Sequence, residues 1–449
     1  MKSLHVIMFV YCVLTTLYAV LTPPWETPDE PAHYRYVVQL ADRWRPPSDP
    51  LVRQTDRFCR DRAYVVSNYE WYHPFLGYLP GAIAYSIVSL AAPESLPGRV
   101  PPFNPSFCSD PFTHPSLFEL EATSPLDIWH DNWGLLILRI LSSLWGLIVI
   151  YAVHRTGKYL GMKGFETVAA AWVAFLPQFV FISASVRNDT AGNAIAALLF
   201  LLSTQMQVRP QRCKRTTLTM GLLLAAGMLT KLTLAYLIPV VLLVVMVPPV
   251  GSPCSRSWLR SAVRVLSPTL IAVSLYYLGF QEARMALSHT RMQMGVRSEA
   301  LTLSYWRPFL PMLTDLFFAR FGWANVIVPS CWIKVASGVW IAGSVLSLLQ
   351  ILRLSVEKQK PNTTRTVLLL ALGLFFSLLG VIRYNLSQFQ PQGRFLFPAL
   401  VPWALVGTWG LAEILTKHPK LRSLVGLALI GFWLLFNLRS LIELFITYY

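Results

Sequence analysis

Charge is scarce in this sequence: Asp, Glu, Lys and Arg make up 13% of its 449 residues, whereas hydrophobic residues make up 54%. Apolar runs of roughly 18–22 residues recur along the whole chain, and each is long enough for a helix to cross the hydrocarbon core of a bilayer. The composition therefore indicates an all-α polytopic membrane protein.

Several common sequence signatures are absent. There is no P-loop, GxGxxG fingerprint, CxxC pair or zinc-ligand spacing, which argues against an ATP-driven pump or a nucleotide-dependent enzyme. No small-x-small cleavage site follows the first apolar run, which ends in TPPW. Residues 1–22 are therefore expected to form an uncleaved signal-anchor helix.

The positive charge follows a membrane pattern. The net charge is +16, but the basic residues sit in short clusters between apolar runs, as in cytoplasmic loops. We therefore expect no nucleic-acid partner. If the apolar segment HPFLGYLPGAIAYSIVSLAAP spans the bilayer, the basic cluster from His154 to Lys163 falls outside the cell. We interpret the segment as interfacial or re-entrant because every later basic cluster then falls inside.

This topology predicts about eleven transmembrane helices, with a cytoplasmic N-terminus. Its five segments are a signal-anchor helix (1–22), an extracytoplasmic first loop with interfacial helices (23–132), a transmembrane bundle (133–280), a second extracytoplasmic loop (281–332) and C-terminal transmembrane helices (333–449). Cys59 and Cys108 both fall in the first loop, where an oxidising compartment permits a disulfide. The sequence leaves their pairing open, because a bridge depends on geometry.

Two adjacent carboxylates and a histidine follow the first span, in the motif PDEPAH. Asp29 and Glu30 lie between Pro28 and Pro31, which restrict the backbone and hence the direction of the carboxylates. The motif fits the start of a helix capped by one of the acids. It also fits a functional site that includes His33, since acids and an imidazole beside hydrocarbon are costly and tend to have a function.

Three further polar residues fall on the same predicted outer face. Asp189 stands at the end of a span in SVRNDTAGN, Lys231 interrupts an apolar hairpin in LTKLT, and Arg394 precedes a span in QPQGRF. Helix capping, snorkelling and interfacial anchoring are the structural alternatives. An arginine on the outer side also calls for an anion, and its planar fork suits phosphate. The four motifs are therefore expected to share one site.

Seven segments together resemble a known group of proteins. In chain order they are PPWETPDEPAHYRY, HPFLGYLPG, LRILSSLWGLIVIYAVHRTGKYLG, SASVRNDTAGNAIAALL, LTKLTLAYLIP, FARFGWANV and QGRFLFPAL. They resemble a large family of uncharacterised prokaryotic multi-pass membrane proteins. That family is itself similar to the membrane-embedded GT-C glycosyltransferases, which include protein mannosyltransferases and the aminoarabinose transferase of lipid A.

The resemblance implies a GT-C-like bundle with a large extracytoplasmic first loop, and an active site at the outer membrane face. The implied enzyme transfers a sugar from a polyprenyl-phosphate donor to a glycan, lipid or protein acceptor of the cell envelope. It implies that Asp29 or Glu30 is the base, with His33 beside them, and that Asp189 is a second acidic residue. Lys231 and Arg394 correspond to residues that hold the carrier phosphate. No DxD motif accompanies the acids, so a divalent metal is possible but has no support in the sequence.

Elementary chemistry favours the same residues. Displacing phosphate from a sugar needs a carboxylate to take the proton of the acceptor hydroxyl, and cations where the leaving phosphate gathers charge. Two alternatives stay open. A transporter or flippase of lipid-linked saccharides usually shows internal repeats and ionisable groups near the midplane, and neither pattern is evident. A glycan polymerase or ligase would use arginine-rich outer loops, such as the segment 281–332.

Overall fold

The structure is a computed structural model that describes residues 2–50, 67–97, 102–119, 124–208, 213–247 and 258–449. Cys59, and with it the predicted bridge to Cys108, lies outside these ranges. The α-helices are α1 (Lys2–Leu21), α2 (Glu30–Arg43), α3 (Leu79–Ala91), α4 (Pro125–His130), α5 (Trp133–Tyr159), α6 (Phe165–Ala174), α7 (Pro177–Ser183), α8 (Asp189–Val208), α9 (Cys213–Met228), α10 (Leu237–Met246), α11 (Trp258–Gly279), α12 (Gln281–Gln293), α13 (Leu303–Trp306), α14 (Phe309–Phe318), α15 (Ser330–Val356), α16 (Pro361–Asn385), α17 (Leu400–Ile414) and α18 (Pro419–Tyr448).

Short 3-10 helices and one hairpin complete the described elements. The 3-10 helices are Pro93–Ser95, Pro105–Cys108, Leu232–Tyr236, Ser298–Leu301, Gly393–Ala399 and Leu415–Lys417. The hairpin pairs β1 (Arg320–Phe321) with β2 (Val326–Ile327) in antiparallel register.

Long apolar helices dominate the fold. In the described ranges, eight helical segments are long and apolar enough to cross a membrane, and the bent pair α6–α7 adds a ninth if it counts as one span. The eight are α1, α5, α8, α11, α15, α16, the stretch Gly393–Lys417 and α18. The helical, multi-pass architecture is thereby confirmed. The number of about eleven spans, the size of the first loop and the five segment boundaries stay predictions.

Two interruptions of the apolar runs have local causes. Helices α6 and α7 meet at a bend of 58°, where Pro177 begins α7 and leaves Leu176 in an extended conformation. Helix α3 has 13 residues, which rise about 20 Å, whereas the hydrocarbon core is about 30 Å thick. It is therefore shorter than the hydrocarbon core is thick, and the interfacial interpretation of this segment stays a prediction.

Helices α1 and α5 pack antiparallel and place the start of α5 beside the end of α1. The hydroxyl of Tyr11 donates a hydrogen bond to the carbonyl of Ser143 at 3.0 Å. A Cβ atom at Gly146 would lie 1.9 Å from that hydroxyl, so the contact requires glycine. The loop after α1 is thereby held over the first turns of α5, where the polar residues of the chain meet.

Close backbone contact also joins α15 to α17. A Cβ atom at Gly343 would lie 1.8 Å from the carbonyl oxygen of Gly407, and one at Gly410 would lie 2.2 Å from the nitrogen of Ser347. The hydroxyl of Ser347 donates to the carbonyl of Val406 at 2.7 Å. Small residues allow membrane helices to approach this closely. Because there is no hydrophobic driving force between helices in lipid, such close packing is what stabilises their contact.

We expect Gly343→Ala to lower the thermal stability of the purified protein in detergent. The added methyl group overpacks the contact with Gly407, at a cost of about 1–3 kcal/mol. Gly338→Ala on the same helix is the matched control, because a methyl group at that position would meet no atom of a neighbouring helix within 4 Å. That change should be neutral or slightly stabilising, since alanine favours helices. Equal melting temperatures for the two variants would contradict this account of the packing.

Candidate functional site

The PDEPAH motif begins α2, but Asp29 does not cap that helix. Asp29 immediately precedes Glu30 and has a positive φ of 67°, and its side chain makes no capping hydrogen bond. Aspartate tolerates this left-handed conformation better than most residues. Pro31 occupies the first turn, where a missing N–H has no effect on the helix. The capping alternative therefore does not describe Asp29, because its carboxylate does not bond to the N–H groups at the start of α2.

The Asp29 carboxylate joins two distant parts of the chain. Its Oδ1 accepts a hydrogen bond from the Tyr69 hydroxyl at 2.7 Å. Its Oδ2 is ion-paired with the Arg394 guanidinium, 365 residues later in the sequence. The Asp29 side chain keeps 17% of its surface exposed, so it is partly open to solvent.

Two hydrogen-bond donors of Arg394 have no partner among the described residues. The side chain is 8% exposed, and its Nε and NH1 atoms are buried without a hydrogen-bond partner among the described residues. Gly393 lets the preceding loop lie against α14, since a Cβ there would sit 2.2 Å from the backbone of Phe317. Buried guanidinium donors without an acceptor are costly, and an anion would satisfy them.

Glu30 is held quite differently from its neighbour Asp29. Its side chain is 0% exposed, and it forms a two-pronged ion pair with Arg139, whose Nε donates to Oε1 at 2.8 Å and whose NH2 donates to Oε2. The backbone N–H groups of Trp25 and Val186 also donate to this carboxylate, at 3.3 and 3.2 Å. Both oxygens of Glu30 are thus occupied by the protein itself.

Arg139 fastens the end of α1 to α5, and its role was missed in the sequence. Its NH1 donates to the carbonyls of Ala19 and Thr22 at 2.8 and 2.6 Å, and its NH2 donates to that of Pro23 at 3.0 Å. A signal was present, because an arginine inside the apolar run of α5 needs an anionic or polar partner.

The loop between α7 and α8 places the second predicted acidic residue, Asp189, near the PDEPAH motif. The Asp189 carboxylate is ion-paired with the Lys231 ammonium, and Arg187 NH1 lies 3.8 Å from its Oδ2. Arg187 NH2 donates to the carbonyl of Pro28 at 2.8 Å, which ties this loop to the PDEPAH motif. Asn188 donates to the carbonyl of Thr230 at 3.2 Å, which ties it to the turn before Lys231.

One aromatic ring joins the two predicted phosphate-binding cations. The Lys231 ammonium lies 5.7 Å and the Arg394 guanidinium carbon 5.6 Å from the centre of the Phe395 ring. The structure therefore brings Asp29, Asp189, Lys231 and Arg394 into one connected cluster, as expected for a shared site.

His33 lies on the buried side of this cluster. Its Nδ1 is 2.7 Å from the Tyr78 hydroxyl, and its residue is 2% exposed. Burial lowers the pKa of His33 to about 3, because a charged imidazolium is disfavoured away from water. The ring is therefore neutral at physiological pH.

A further ionisable pair, Glu70 and His73, was not found from the sequence. His73 Nε2 lies 2.7 Å from a carboxylate oxygen of Glu70, and both side chains are nearly buried. Burial raises the pKa of Glu70, but the charge of His73 outweighs it and holds that pKa well below its usual range. A single glutamate in an aromatic loop carries no distinguishing sequence signal.

The carboxylates and histidines of the cluster do not form an evident metal cage. Among the described residues, no group of three or more His, Cys, Asp and Glu side chains is placed to hold a metal ion. The cations of the site are instead interleaved with single carboxylates, and the arrangement suits binding of an anion.

Residues 127–277 match the family model described as dolichyl-phosphate-mannose-protein mannosyltransferase. The predicted similarity to the GT-C glycosyltransferases is confirmed. The match covers about a third of the chain, and the description of the matched family is that of an enzyme. Among curated proteins, none matches this chain.

One solved structure supports a shared fold, and a second is similar more weakly. The oligosaccharyltransferase of Archaeoglobus fulgidus in its apo form superposes with a TM-score of 0.50 at 13% sequence identity, over 99% of this chain and 55% of that one. The ArnT of Cupriavidus metallidurans bound to undecaprenyl phosphate gives a TM-score of 0.49 at 12% identity, over 95% and 62% of the two chains. This chain thus spans about half the length of the archaeal enzyme, and its all-helical membrane fold is GT-C-like.

We expect Glu30→Ala to destabilise the protein strongly, by about 3–5 kcal/mol, because it leaves the buried Arg139 charge unpaired. The matched control is Glu357→Ala, which removes an ion pair with Arg353, a side chain that is 61% exposed. Exposed pairs contribute about 0–1 kcal/mol. Chemical denaturation in detergent measures both losses, and a loss for Glu30→Ala no larger than the control's would contradict the anchoring role.

A third carboxyl of the same loop, Glu26, makes stability depend on pH. Its residue is 0% exposed, its Oε1 accepts from the N–H of Phe118 at 3.2 Å, and burial raises its pKa from 4.5 to about 8. Between pH 4.5 and about pH 8, Glu26 is therefore protonated in the folded protein but ionised in the unfolded chain. Stability should fall as pH rises through that window, because deprotonation favours unfolding.

We expect Glu26→Gln to remove this loss of stability. The melting temperatures of wild type and variant should agree near pH 5 and diverge near pH 9, with the variant more stable at the higher pH. Glutamine keeps the acceptor for Phe118, so the low-pH comparison serves as the control. Parallel pH profiles for the two proteins would show that Glu26 is not a buried neutral acid.

Proposed function

We propose that this protein is a membrane-embedded glycosyltransferase that transfers a sugar from a polyprenyl-phosphate donor to an acceptor of the cell envelope. One observation carries the proposal: Asp29, a reachable carboxylate, is paired with Arg394, a guanidinium that has two buried donors to spare. A base and an anion-binding group are thereby set side by side. The matched family supports the donor class, because its description names a dolichyl-phosphate-linked sugar.

We assign the role of base to Asp29 rather than Glu30. A general base must lie within hydrogen-bond reach of the proton that it takes. The Glu30 oxygens are saturated by Arg139 and by two backbone N–H groups, whereas Asp29 keeps 17% of its side chain exposed. In this account Glu30 is a positioning residue that holds the backbone next to the base.

Arg394 and Lys231 are the proposed phosphate ligands. The free Nε and NH1 donors of Arg394 suit the oxygens of a phosphate, and Lys231 presents a second positive charge across the Phe395 ring. Asp189 holds Lys231 by an ion pair. His33, neutral because of its low pKa, orients Tyr78 by a hydrogen bond rather than transferring a proton.

The proposed reaction moves one sugar and one proton. The acceptor oxygen forms a bond to the anomeric carbon as the bond between that carbon and the phosphate oxygen breaks. The acceptor's proton passes to the Asp29 carboxylate, and the bonding electrons leave with the phosphate. Arg394 and Lys231 stabilise the charge that the phosphate gains, which is the usual source of the largest rate effect in such sites.

We further propose that the site faces the extracytoplasmic side. Arg422 donates to the carbonyl of Met162 and Lys360 pairs with Glu413 at 2.8 Å, so several basic clusters meet at one end of the bundle. Helix α5 runs from the site, where Arg139 lies, toward that basic end. Basic loops are retained in the cytoplasm, which supports a cytoplasmic N-terminus and an outward-facing site.

We expect Asp29→Asn to lower the release of polyprenyl phosphate from a polyprenyl-phosphate sugar by about 10²–10⁴-fold, since general base catalysis contributes that much. Arg394→Ala should lower it by about 10²–10³-fold through the loss of a charge-stabilising donor. The measurement uses the purified protein in lipid nanodiscs, supplied with the donor and pooled envelope extracts as the source of acceptor.

Matched controls are available on the same protein. Asp131→Asn changes a carboxylate that is 84% exposed, and Arg383→Ala changes an exposed arginine near the end of α16. Both should retain activity. Donor binding without cleavage in the wild type would favour a transporter, and full activity of both Asp29→Asn and Arg394→Ala would overturn the proposal.

A further inference from the structure

A fully buried arginine, Arg187, lies in the loop between α7 and α8 and takes no part in the reaction proposed above. Its side chain is 0% exposed, so the guanidinium is closed off from solvent. Burial, together with the nearby positive charge of Arg394, lowers the pKa of Arg187 to about 10, and the group stays charged at physiological pH. Burying a charge is costly unless its hydrogen bonds are well made, so the partners of Arg187 indicate its role.

The Arg187 guanidinium holds the peptide unit that leads into the proposed base. Its NH2 donates to the carbonyl of Pro28 at 2.8 Å, and its Nε donates to the Ser185 hydroxyl at 2.7 Å. The Pro28 carbonyl belongs to the peptide unit that joins Pro28 to Asp29. The angle φ of Asp29 describes the rotation of that unit about the N–Cα bond of Asp29. A hydrogen bond to this carbonyl therefore restricts φ of the proposed base.

Two further hydrogen bonds fix the chain on the other side of Asp29. The Asp29 carbonyl accepts from the N–H of His33 at 3.0 Å, in the first turn of α2. The N–H of Val186, the residue before Arg187, donates to the Glu30 carboxylate at 3.2 Å. The loop that carries Arg187 therefore binds the residue before Asp29 and the residue after it.

The conformation held in this way is one that aspartate does not adopt readily. Asp29 has a φ of 67°, in the left-handed region, which is unfavourable for L-residues and persists only where the surrounding structure enforces it. In this conformation the carboxylate meets Arg394 and the Tyr69 hydroxyl. Because the direction of the side chain depends on φ, a return to a negative φ would redirect the carboxylate away from these partners.

We propose that Arg187 is a positioning residue that holds Asp29 in its left-handed conformation and thereby keeps the carboxylate beside Arg394. The inference rests on the proposed transferase function and adds a residue to that site. Arg187 NH1 also lies 3.8 Å from the carboxylate of Asp189, the ion-pair partner of Lys231. One side chain thus contacts the segment of the base and the carboxylate that holds a proposed phosphate ligand. A guanidinium suits this position because its rigid fork donates to several acceptors in fixed directions.

The first test measures cleavage of a polyprenyl-phosphate sugar by Arg187→Gln in lipid nanodiscs, with pooled envelope extracts as the source of acceptor. We expect kcat to fall about 10²-fold, because a small misplacement of a catalytic group costs about that much. The KM for the donor should change by less than about twofold, since the proposed phosphate ligands are still present. Arg187→Lys keeps the charge but not the fork and should lose a similar factor in kcat.

A milder variant and a matched control accompany this measurement. Ser185→Ala removes the acceptor of the Arg187 Nε and leaves the buried charge in place, so it should lower kcat in the same direction with less risk to folding. Arg284→Gln is the control, because Arg284 is an exposed arginine whose NH1 also donates to backbone carbonyls, those of Tyr277 and Leu278. The control should keep the wild-type kcat.

Combination with Asp29→Asn separates positioning of the base from a general structural role. If Arg187 acts through the Asp29 carboxylate, Arg187→Gln should lower the residual rate of Asp29→Asn by less than about twofold, because residues that act as a unit are not additive. A defect in folding would lower the rate by the same factor in both backgrounds. An experimental structure of Arg187→Gln should show Asp29 with a negative φ and its carboxylate more than about 4 Å from the Arg394 guanidinium, beyond the distance of an ion pair.

Three results would overturn the inference. Wild-type activity of Arg187→Lys would show that the charge alone matters. Equal losses from Arg187→Gln with and without the Asp29 carboxylate would show that Arg187 does not act through the base. An unchanged φ of Asp29 in the structure of Arg187→Gln would show that other contacts hold the base. Absence of donor cleavage in the wild type would instead contradict the proposed function, while that structure still reports whether Arg187 holds Asp29.

Discussion

The buried ion pair of Glu30 with Arg139 is the constraint on which the site depends. It joins the start of α2 to α5, and further hydrogen bonds from Arg139 hold the end of α1. Burying two charges is costly, but here the donors and acceptors largely satisfy each other, which offsets the desolvation. With Glu30 paired with Arg139 and Asp29 in a left-handed conformation, the side chains of the two adjacent carboxylates have different surroundings.

The remaining ion pairs of the site balance charge but leave some hydrogen-bond donors unused. Asp29 faces Arg394 and Asp189 faces Lys231 and Arg187, so each carboxylate holds a cation in place before any substrate arrives. Buried guanidinium donors remain on both arginines. Such fixed charges need no reorganisation when a phosphate gathers negative charge, and this preorganisation is what electrostatic catalysis requires.

Much of this arrangement could be predicted from the sequence. The apolar runs predicted a helical membrane protein, and the turn at LTKLT followed from the length of the apolar stretch 216–250. The convergence of Asp29, Asp189, Lys231 and Arg394 followed from placing their motifs on one face. These predictions succeeded because bilayer thickness and charge placement leave few topologies.

The rest depended on contacts that no local pattern encodes. Arg139 lies 109 residues from Glu30, so the sequence did not decide between Glu30 and Asp29. Tyr69 and Glu70 belong to an aromatic loop without a recognisable spacing. The capping interpretation failed as a description of Asp29 because its side chain pairs with Arg394 instead. The break of α6 and α7 at Pro177 was readable in principle, since proline disrupts a helix.

The most direct test of the central claim is an experimental structure of the protein with bound polyprenyl phosphate. The account predicts that the phosphate lies within hydrogen-bond distance, about 3 Å, of both the Arg394 guanidinium and the Lys231 ammonium. The Asp29 carboxylate should remain beside it and accessible, with Glu30 still bound to Arg139. A phosphate located away from both cations would contradict the account.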